Sequence, residues 1–149
     1  MFRKLIAKNF PAEPVSAHCD GPCGVYDPAQ ARVHAEAVVS MTKKILDLDP
    51  SDGKHSTANT LSRYIAIKEQ EAHSAKEDLL VLWTDYFKPQ HLEKYPDLHT
   101  TFWNAAKLCS KVKVEVNLEA AQELLDSVKK IHEMFWESKG KDVPWFTAS

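Results

Sequence analysis

The most reactive stretch of the chain lies just ahead of its long helical patterns. His18, Cys19 and Cys23 place two thiols and one imidazole within six residues. The glycines and the proline around the second cysteine favour a tight turn that brings the two sulfurs toward each other. Thiolates are soft metal ligands and imidazole is intermediate, so the stretch predicts a metal or redox site.

Three kinds of chemistry are compatible with this spacing. A zinc site would need a fourth ligand, and the chain has no second Cys-x-x-Cys pair to supply it. A thiol–disulfide pair ordinarily uses Cys-x-x-Cys, whereas three residues separate Cys19 from Cys23. A square-planar site for a d⁸ ion such as Ni(II) would need more nitrogen ligands.

Cleavage after Ala17 would supply those nitrogen ligands. Residues 1–17 are basic, contain two prolines and end in small residues, but they lack the apolar stretch of a secretory signal. They are either a frayed N-terminus or, with cleavage after Ala17, a pro-segment. Its removal would give His18 a free α-amine. This amine, the backbone nitrogen of Cys19 and the sulfurs of Cys19 and Cys23 would form an N₂S₂ plane, with the imidazole along its axis.

The motif HCDGPCGVYDPAQAR at residues 18–32 resembles the nickel hook of nickel-containing superoxide dismutases. A second block, LWTDYFKP at residues 82–89 followed by EKYPDLH at 93–99, supports this resemblance, and so does FWE at 135–137. The similarity covers the chain from residue 18 to about residue 139. The hook is the most specific part of it.

The resemblance implies a homohexameric enzyme with one nickel ion per subunit. His18, Cys19 and Cys23 would be the ligands, and nickel would cycle between Ni(II) and Ni(III) while superoxide is converted to oxygen and hydrogen peroxide. A dedicated protease would cleave after Ala17, and residues 18–149 would form the mature domain.

Several other residues match supporting positions of this family. Tyr26 matches a tyrosine that narrows access to the metal, and Asp20 matches a residue that braces the hook by hydrogen bonds. Tyr86 and Lys88 match a second tyrosine near the site and a lysine at its mouth, where positive charge would steer superoxide inward. Pro22 matches a cis-proline. Without the resemblance, the same residues would be an edge aromatic, a turn aspartate and one solvated lysine among many.

The chain departs from the family at two matching positions. Members of the family carry a Glu and an Arg that orient the axial histidine, and His34 and Glu71 stand there instead. We expect a reversed arrangement in which Glu71 accepts a hydrogen bond from an imidazole N–H. Such a pair could still tune the metal through its ligand.

The remainder of the chain predicts helices. Asp27 with Pro28 and Gln30 forms a capping-box pattern, and apolar residues then recur every fourth position from Val33 to Ile45. We expect a second helix from about 57 to 86, a short piece over 90–95, a third helix from Pro96 through Leu108, a loop over 111–116, and a fourth helix that Asn117 caps and Gly140 ends.

Composition narrows the possible classes of protein. With 149 residues and a formal charge of −2, the chain suits one domain and offers no electrostatic case for nucleic acid. No apolar run approaches the ~20 residues that span a bilayer. The predicted fold is all-α: an antiparallel up-down four-helix bundle over about 28–140, with an N-terminal metal-binding hook. Three cysteines, with Cys109 expected to be buried, favour a reducing, cytoplasmic compartment.

Two other functions remain open from the residues alone. The chain could be a small helical carrier whose hook delivers zinc or nickel, or a structural interaction bundle in which Cys19 and Cys23 are incidental. Metal content, visible spectra and superoxide loss would separate the enzyme from both.

Overall fold

The computed structural model describes residues 24–148, and all regular structure in this range is helical. The elements are α1 (Ala29–Leu46), α2 (His55–Val81), α3 (Leu98–Val114) and α4 (Leu118–Ser138). A π-helical turn, Leu82–Tyr86, continues α2, and short 3₁₀ turns occupy Pro50–Asp52 and Pro89–Glu93.

The four helices form an up-down bundle, as the sequence predicts. Each helix packs on the next along the chain, and α1 also packs on α4, so that the ring of helices closes. The core between them is apolar, and its large buried side chains include Leu79, Leu98, Phe102, Leu124 and Phe135. Within the described part of the chain, no helix is long and apolar enough to cross a membrane.

The first helix begins one residue later than its capping-box pattern predicts. Pro28, and not Asp27, occupies the N-cap position, and its side chain makes no capping bond. The Asp27 carboxylate instead accepts a hydrogen bond from the Ala29 backbone N–H at 2.8 Å. Aspartate favours such local turns, so Asp27 satisfies the first free N–H of the helix from outside it.

The buried face of α1 also differs from the row of apolar residues in its sequence. Val33 is exposed and Ile45 is buried, although both belong to the same row of every fourth residue. Four residues exceed one 3.6-residue turn, so such a row moves around the helix by about 40° per step. The buried face is formed mainly by Ala31, Ala35, Val38, Val39 and Thr42.

The prediction of a loop over 111–116 is wrong for its first four residues, because α3 continues to Val114. Val112 is buried in the core, which gives this last turn an apolar contact. Lys68 of α2 is almost wholly buried, and its ammonium donates to the backbone carbonyls of Val112, Lys113 and Glu115. A cation therefore satisfies carbonyls that the helix end leaves without partners.

The fourth helix begins and ends as predicted. The Asn117 side chain accepts a hydrogen bond from the Ala120 backbone N–H at 2.9 Å. At the other end, Gly140 adopts φ +66°, in the left-handed region that favours glycine.

The segment after α4 docks on the bundle. His132 of α4 donates from Nε2 to the Val143 carbonyl at 2.9 Å, and its ring meets Trp145 edge-on at 5.3 Å. Farther along, the segment reaches the first turns of α1. The segment therefore links the last helix to the first.

Two contacts hold the end of this segment on α1. The Arg32 guanidinium lies 4.4 Å from the centre of the Phe146 ring, and the Ala148 backbone N–H donates to Glu36 Oε2 at 2.7 Å. Arg32 and Glu36 are themselves paired at 2.5 Å and are both buried. The segment thus covers an ion pair close to the point where α1 begins.

Candidate functional site

The residues expected to bind the metal precede the described part of the chain. His18, Cys19 and Cys23 lie outside it, and so do Asp20 and Pro22. Within residues 24–148, no group of three or more His, Cys, Asp or Glu side chains could hold a metal ion.

Gly24, the first residue of the described part of the chain, directly follows Cys23, the second predicted thiolate. Gly24 adopts φ +63°, the left-handed backbone conformation expected of a glycine in a tight turn. Tyr26 follows and packs against the bundle core, and α1 begins at Ala29. The segment that leads to the predicted ligands is therefore tied to the bundle through Tyr26.

Tyr26 lies beside Tyr86, although 60 positions separate them in the sequence. Their ring centres are 5.6 Å apart and the rings are inclined by 55°. Tyr86 is the last residue of the π-helical turn after α2, where Phe87 N–H donates to the Leu82 carbonyl five residues back. Such wide turns occur often at functional sites because they alter which side chains face inward. The two predicted tyrosines thus form one aromatic pair.

Aromatic neighbours hold the Tyr86 ring from several directions. Phe135 of α4 lies at 4.5 Å between ring centres, and Phe87 meets it edge-on at 4.9 Å. His91 stacks on it at 5.8 Å with nearly parallel planes. The Tyr86 hydroxyl lies 2.6 Å from Ser138 Oγ. The phenol therefore has one fixed orientation in the bundle.

The predicted lysine lies on the loop after this pair. Lys88 is exposed, and its ammonium donates to the Asp85 carbonyl at 2.7 Å. Its backbone N–H donates to Nδ1 of His91 at 3.0 Å, which connects the loop to the ring stacked on Tyr86. Lys88 also lines a cavity of about 360 Å³ whose wall includes Trp83 and His99.

A second lysine contacts the Tyr86 ring. The Lys139 ammonium is 5.3 Å from the centre of the Tyr86 ring and 5.0 Å from that of Phe135. Lys139 follows the end of α4, and no sequence motif identifies it as a functional residue. His91 and Ser138 were missed for the same reason, since only the packing of helices brings them to Tyr86.

His34 and Glu71, the two residues at which the chain was expected to depart from the family, are in contact. Nδ1 of His34 on α1 donates to Oε2 of Glu71 on α2 at 2.5 Å. On the other side of the imidazole, Nε2 lies 3.6 Å from Oδ2 of Asp78. Burial raises the pKa of Asp78, the charge of His34 opposes that rise, and Glu77 adds to it. The expected contact between His34 and Glu71 is present, with a second carboxylate that the sequence analysis missed.

Cys109 is separate from this site. It is fully buried on α3, as expected, and burial raises the pKa of its thiol to about 12. A thiol of this kind is neither a nucleophile nor a ready metal ligand near neutral pH.

Comparisons with known proteins agree with these observations. The sequence model of the family described as nickel-containing superoxide dismutase matches residues 13–139. A superoxide dismutase (Ni) from Streptomyces seoulensis and another from Streptomyces coelicolor are each 46% identical to this chain over 139 residues, which are 93% of this chain and 98% of each relative.

Solved structures are similar along most of the bundle. The native structure of a nickel superoxide dismutase is 44% identical in sequence to this chain, with a TM-score of 0.72. The match covers 82% of this chain and 99% of the chain in that structure. A structure with nickel ligation corresponding to the oxidised state has 44% identity and a TM-score of 0.71, with coverage of 83% and 99%. By sequence and by fold, the chain belongs to the nickel-containing superoxide dismutase family.

Proposed function

We propose that this chain disproportionates superoxide as a nickel-dependent oxidoreductase. One superoxide loses an electron to become oxygen, and a second gains that electron and two protons to become hydrogen peroxide. The observation that carries the proposal is the Tyr26–Tyr86 pair. Tyr26 follows Cys23 by three residues, so their Cα atoms cannot be more than about 11 Å apart. Whatever Cys23 binds is therefore within reach of this aromatic pair.

The donor set suits nickel. In the proposed mature chain, which begins at His18 after a protease has removed residues 1–17, the ligands are His18, Cys19 and Cys23. Amine and amide nitrogens with two thiolates favour square-planar coordination, which Ni(II) accepts and tetrahedral Zn(II) does not prefer. Nickel, when bound, supplies the one-electron chemistry by alternating between Ni(II) and Ni(III). Asp20 braces the hook in this proposal.

The described residues would control what reaches the metal. Tyr26 and Tyr86 narrow the approach with two rings inclined to each other, and their hydroxyls offer polar contacts to a small molecule. Lys88 and Lys139 add positive charge on the same side of the bundle, which raises the local concentration of an anion. His34, held by Glu71, would orient the histidine ligand, as the family resemblance implies for these two positions.

Assembly and location complete the proposal. We infer a homohexamer with one nickel per subunit from family membership. We infer a cytoplasmic location because a reducing compartment keeps Cys19 and Cys23 as thiols before nickel binds.

The sharpest test compares two chains that differ by one residue. One begins at His18 and the other at Ala17, so that only the first has a free amine on His18. We expect the first to bind one nickel, to show visible Ni(II)–thiolate absorption and to remove superoxide. We expect the second to lose the planar spectrum and the activity. Equal spectra and activity in both chains would contradict the proposed ligand set.

A matched pair of cysteine variants separates the enzyme from its alternatives. Cys19→Ser should abolish nickel-dependent superoxide loss, and Cys109→Ala should retain it. A metal carrier would instead bind colourless zinc without turnover. A structural bundle would be unaffected by Cys19→Ser except in its thiol count.

A further inference from the structure

The hydroxyl of Tyr86 is part of a short hydrogen-bond chain at the end of α4. Tyr86 Oη lies 2.6 Å from Ser138 Oγ, and Ser138 Oγ donates to the Phe135 carbonyl at 2.6 Å. A serine hydroxyl has one proton, and a carbonyl can only accept. The proton of Ser138 is therefore committed to Phe135, so Tyr86 must be the donor to Ser138.

This direction determines what Tyr86 can offer to a small molecule. A phenol also has a single proton, and in Tyr86 that proton points to Ser138. The oxygen then retains only lone pairs for other partners. Because Phe135, Phe87 and His91 hold the ring, the hydroxyl oxygen stays beside Ser138.

We propose that Ser138 is a positioning residue that makes Tyr86 a hydrogen-bond acceptor at the site. The inference rests on the proposed function. An acceptor selects molecules that carry protons, namely water or the hydrogen peroxide product. It does not stabilise superoxide or any other small anion, because an anion needs a donor. Anion attraction is left to Lys139 above the Tyr86 ring and to Lys88 on the loop.

The hydrogen-bond direction can be measured without nickel. Ultraviolet resonance Raman spectra of tyrosine distinguish a phenol that donates from one that does not, and subtraction of the Tyr86→Phe spectrum isolates the Tyr86 signal. We expect a donor signature in the parent chain, its loss in Ser138→Ala and its return in Ser138→Thr. Ser127→Ala is the matched control, since Ser127 donates to the Glu123 carbonyl in the same helix. A signature unchanged in Ser138→Ala would overturn the assigned direction.

The functional consequence is measured on the nickel-loaded enzyme with azide as an anionic probe. Ser138→Ala releases the phenol proton, which can then be donated to azide. One added hydrogen bond to this anion should tighten azide inhibition by about 12- to 150-fold. Azide should inhibit Ser138→Thr as strongly as it inhibits the parent. If the Raman signature changes and azide inhibition does not, the proposal that Tyr86 selects proton-carrying molecules over anions is wrong. If the parent chain lacks superoxide dismutase activity altogether, the proposed function fails while the Raman result still decides the role of Ser138.

Discussion

The imidazole of His34 donates from Nδ1 to Oε2 of Glu71 at 2.5 Å, and this bond joins α1 to α2. Each of the two side chains is about one quarter exposed, so that the bond lies at the edge of the core. The family resemblance implies a Glu and an Arg at the matching positions. Here the carboxylate stands on the opposite helix, and an imidazole replaces the cation.

Changing Glu71 to Gln should change the reactivity and the spectrum of bound nickel more than it changes the amount of nickel bound. The variant weakens a charge-assisted hydrogen bond to His34, which should change superoxide dismutase activity or the Ni(III) spectrum while nickel content stays near that of the parent. Nickel analysis, electron paramagnetic resonance and activity assays measure the three quantities. Glu123→Gln is the control, because Glu123 is exposed on α4, outside the two helices that carry His34 and Glu71. Equal activity and spectra in Glu71→Gln would remove the proposed role.

Asp78 should make the free energy of unfolding fall as the pH rises and its carboxyl group ionises. Burial raises its pKa, so the folded chain binds this proton more tightly than the unfolded chain does. The free energy of unfolding therefore falls as the pH rises above the usual aspartate pKa of about 3.9. Asp78→Asn removes this loss and should stabilise the chain at pH 7 by no more than about 0.5 kcal/mol, because solvent screens the partly exposed group.

Denaturant unfolding at about pH 3.5, below the usual aspartate pKa, and at about pH 7 measures the effect. The advantage of Asp78→Asn should grow between the two pH values, whereas Asp126→Asn, at an exposed position on α4, should show no such growth. An advantage that shrinks with pH would contradict the direction of the pKa shift.

The Cys109 thiol should not react with thiol reagents in the folded chain. With a pKa of about 12, only about one thiol in ten thousand is ionised at pH 8, and the side chain is buried. We expect two thiols to react rapidly in the metal-free folded chain, none when nickel is bound, and three after unfolding. Timed alkylation followed by mass spectrometry counts and locates them. Rapid labelling of Cys109 in the folded chain would contradict the prediction.

Replacing Lys68 by Met should destabilise the whole bundle. The ammonium donates to three carbonyls at the end of α3, and methionine fills the space without donating. Buried carbonyls left without donors should reduce the free energy of unfolding by about 2–3 kcal/mol. Lys111→Met, at an exposed position in the last turn of α3, should change it by less than about 0.5 kcal/mol. Denaturant titration of both variants measures the difference, and equal midpoints would refute the account.

Ending the chain after Gly140 should loosen the first helix. The truncation removes the stacking of Phe146 on Arg32 and the hydrogen bond from Ala148 to Glu36, and it exposes a buried ion pair. These contacts together contribute about 2 kcal/mol, which corresponds to a fall in Tm of about 4–8 °C. A chain that lacks only Ser149 is the control. An unchanged Tm, or unchanged hydrogen exchange in α1, would show that the segment contributes nothing.

Local features of the fold were predictable because they depend on neighbouring residues. Asn117 and Gly140 bound the fourth helix as expected, since a cap and a left-handed turn involve only a few adjacent positions. The same reasoning was wrong for the end of α3, where burial of Val112 and the distant Lys68 extend the helix beyond its local pattern.

The sequence by itself determined the order of donor atoms in His18, Cys19 and Cys23, and with it the choice of metals that such donors suit. It also determined that four amphipathic helices would follow. Only the tertiary structure decided that Tyr86 lies beside Tyr26, that its hydroxyl lies within hydrogen-bond distance of Ser138 and that Lys139 lies on its ring. The reason is that contacts between helices depend on how each helix is rotated and shifted against its neighbours. Packing of the whole core sets that rotation, and no short stretch of residues contains it.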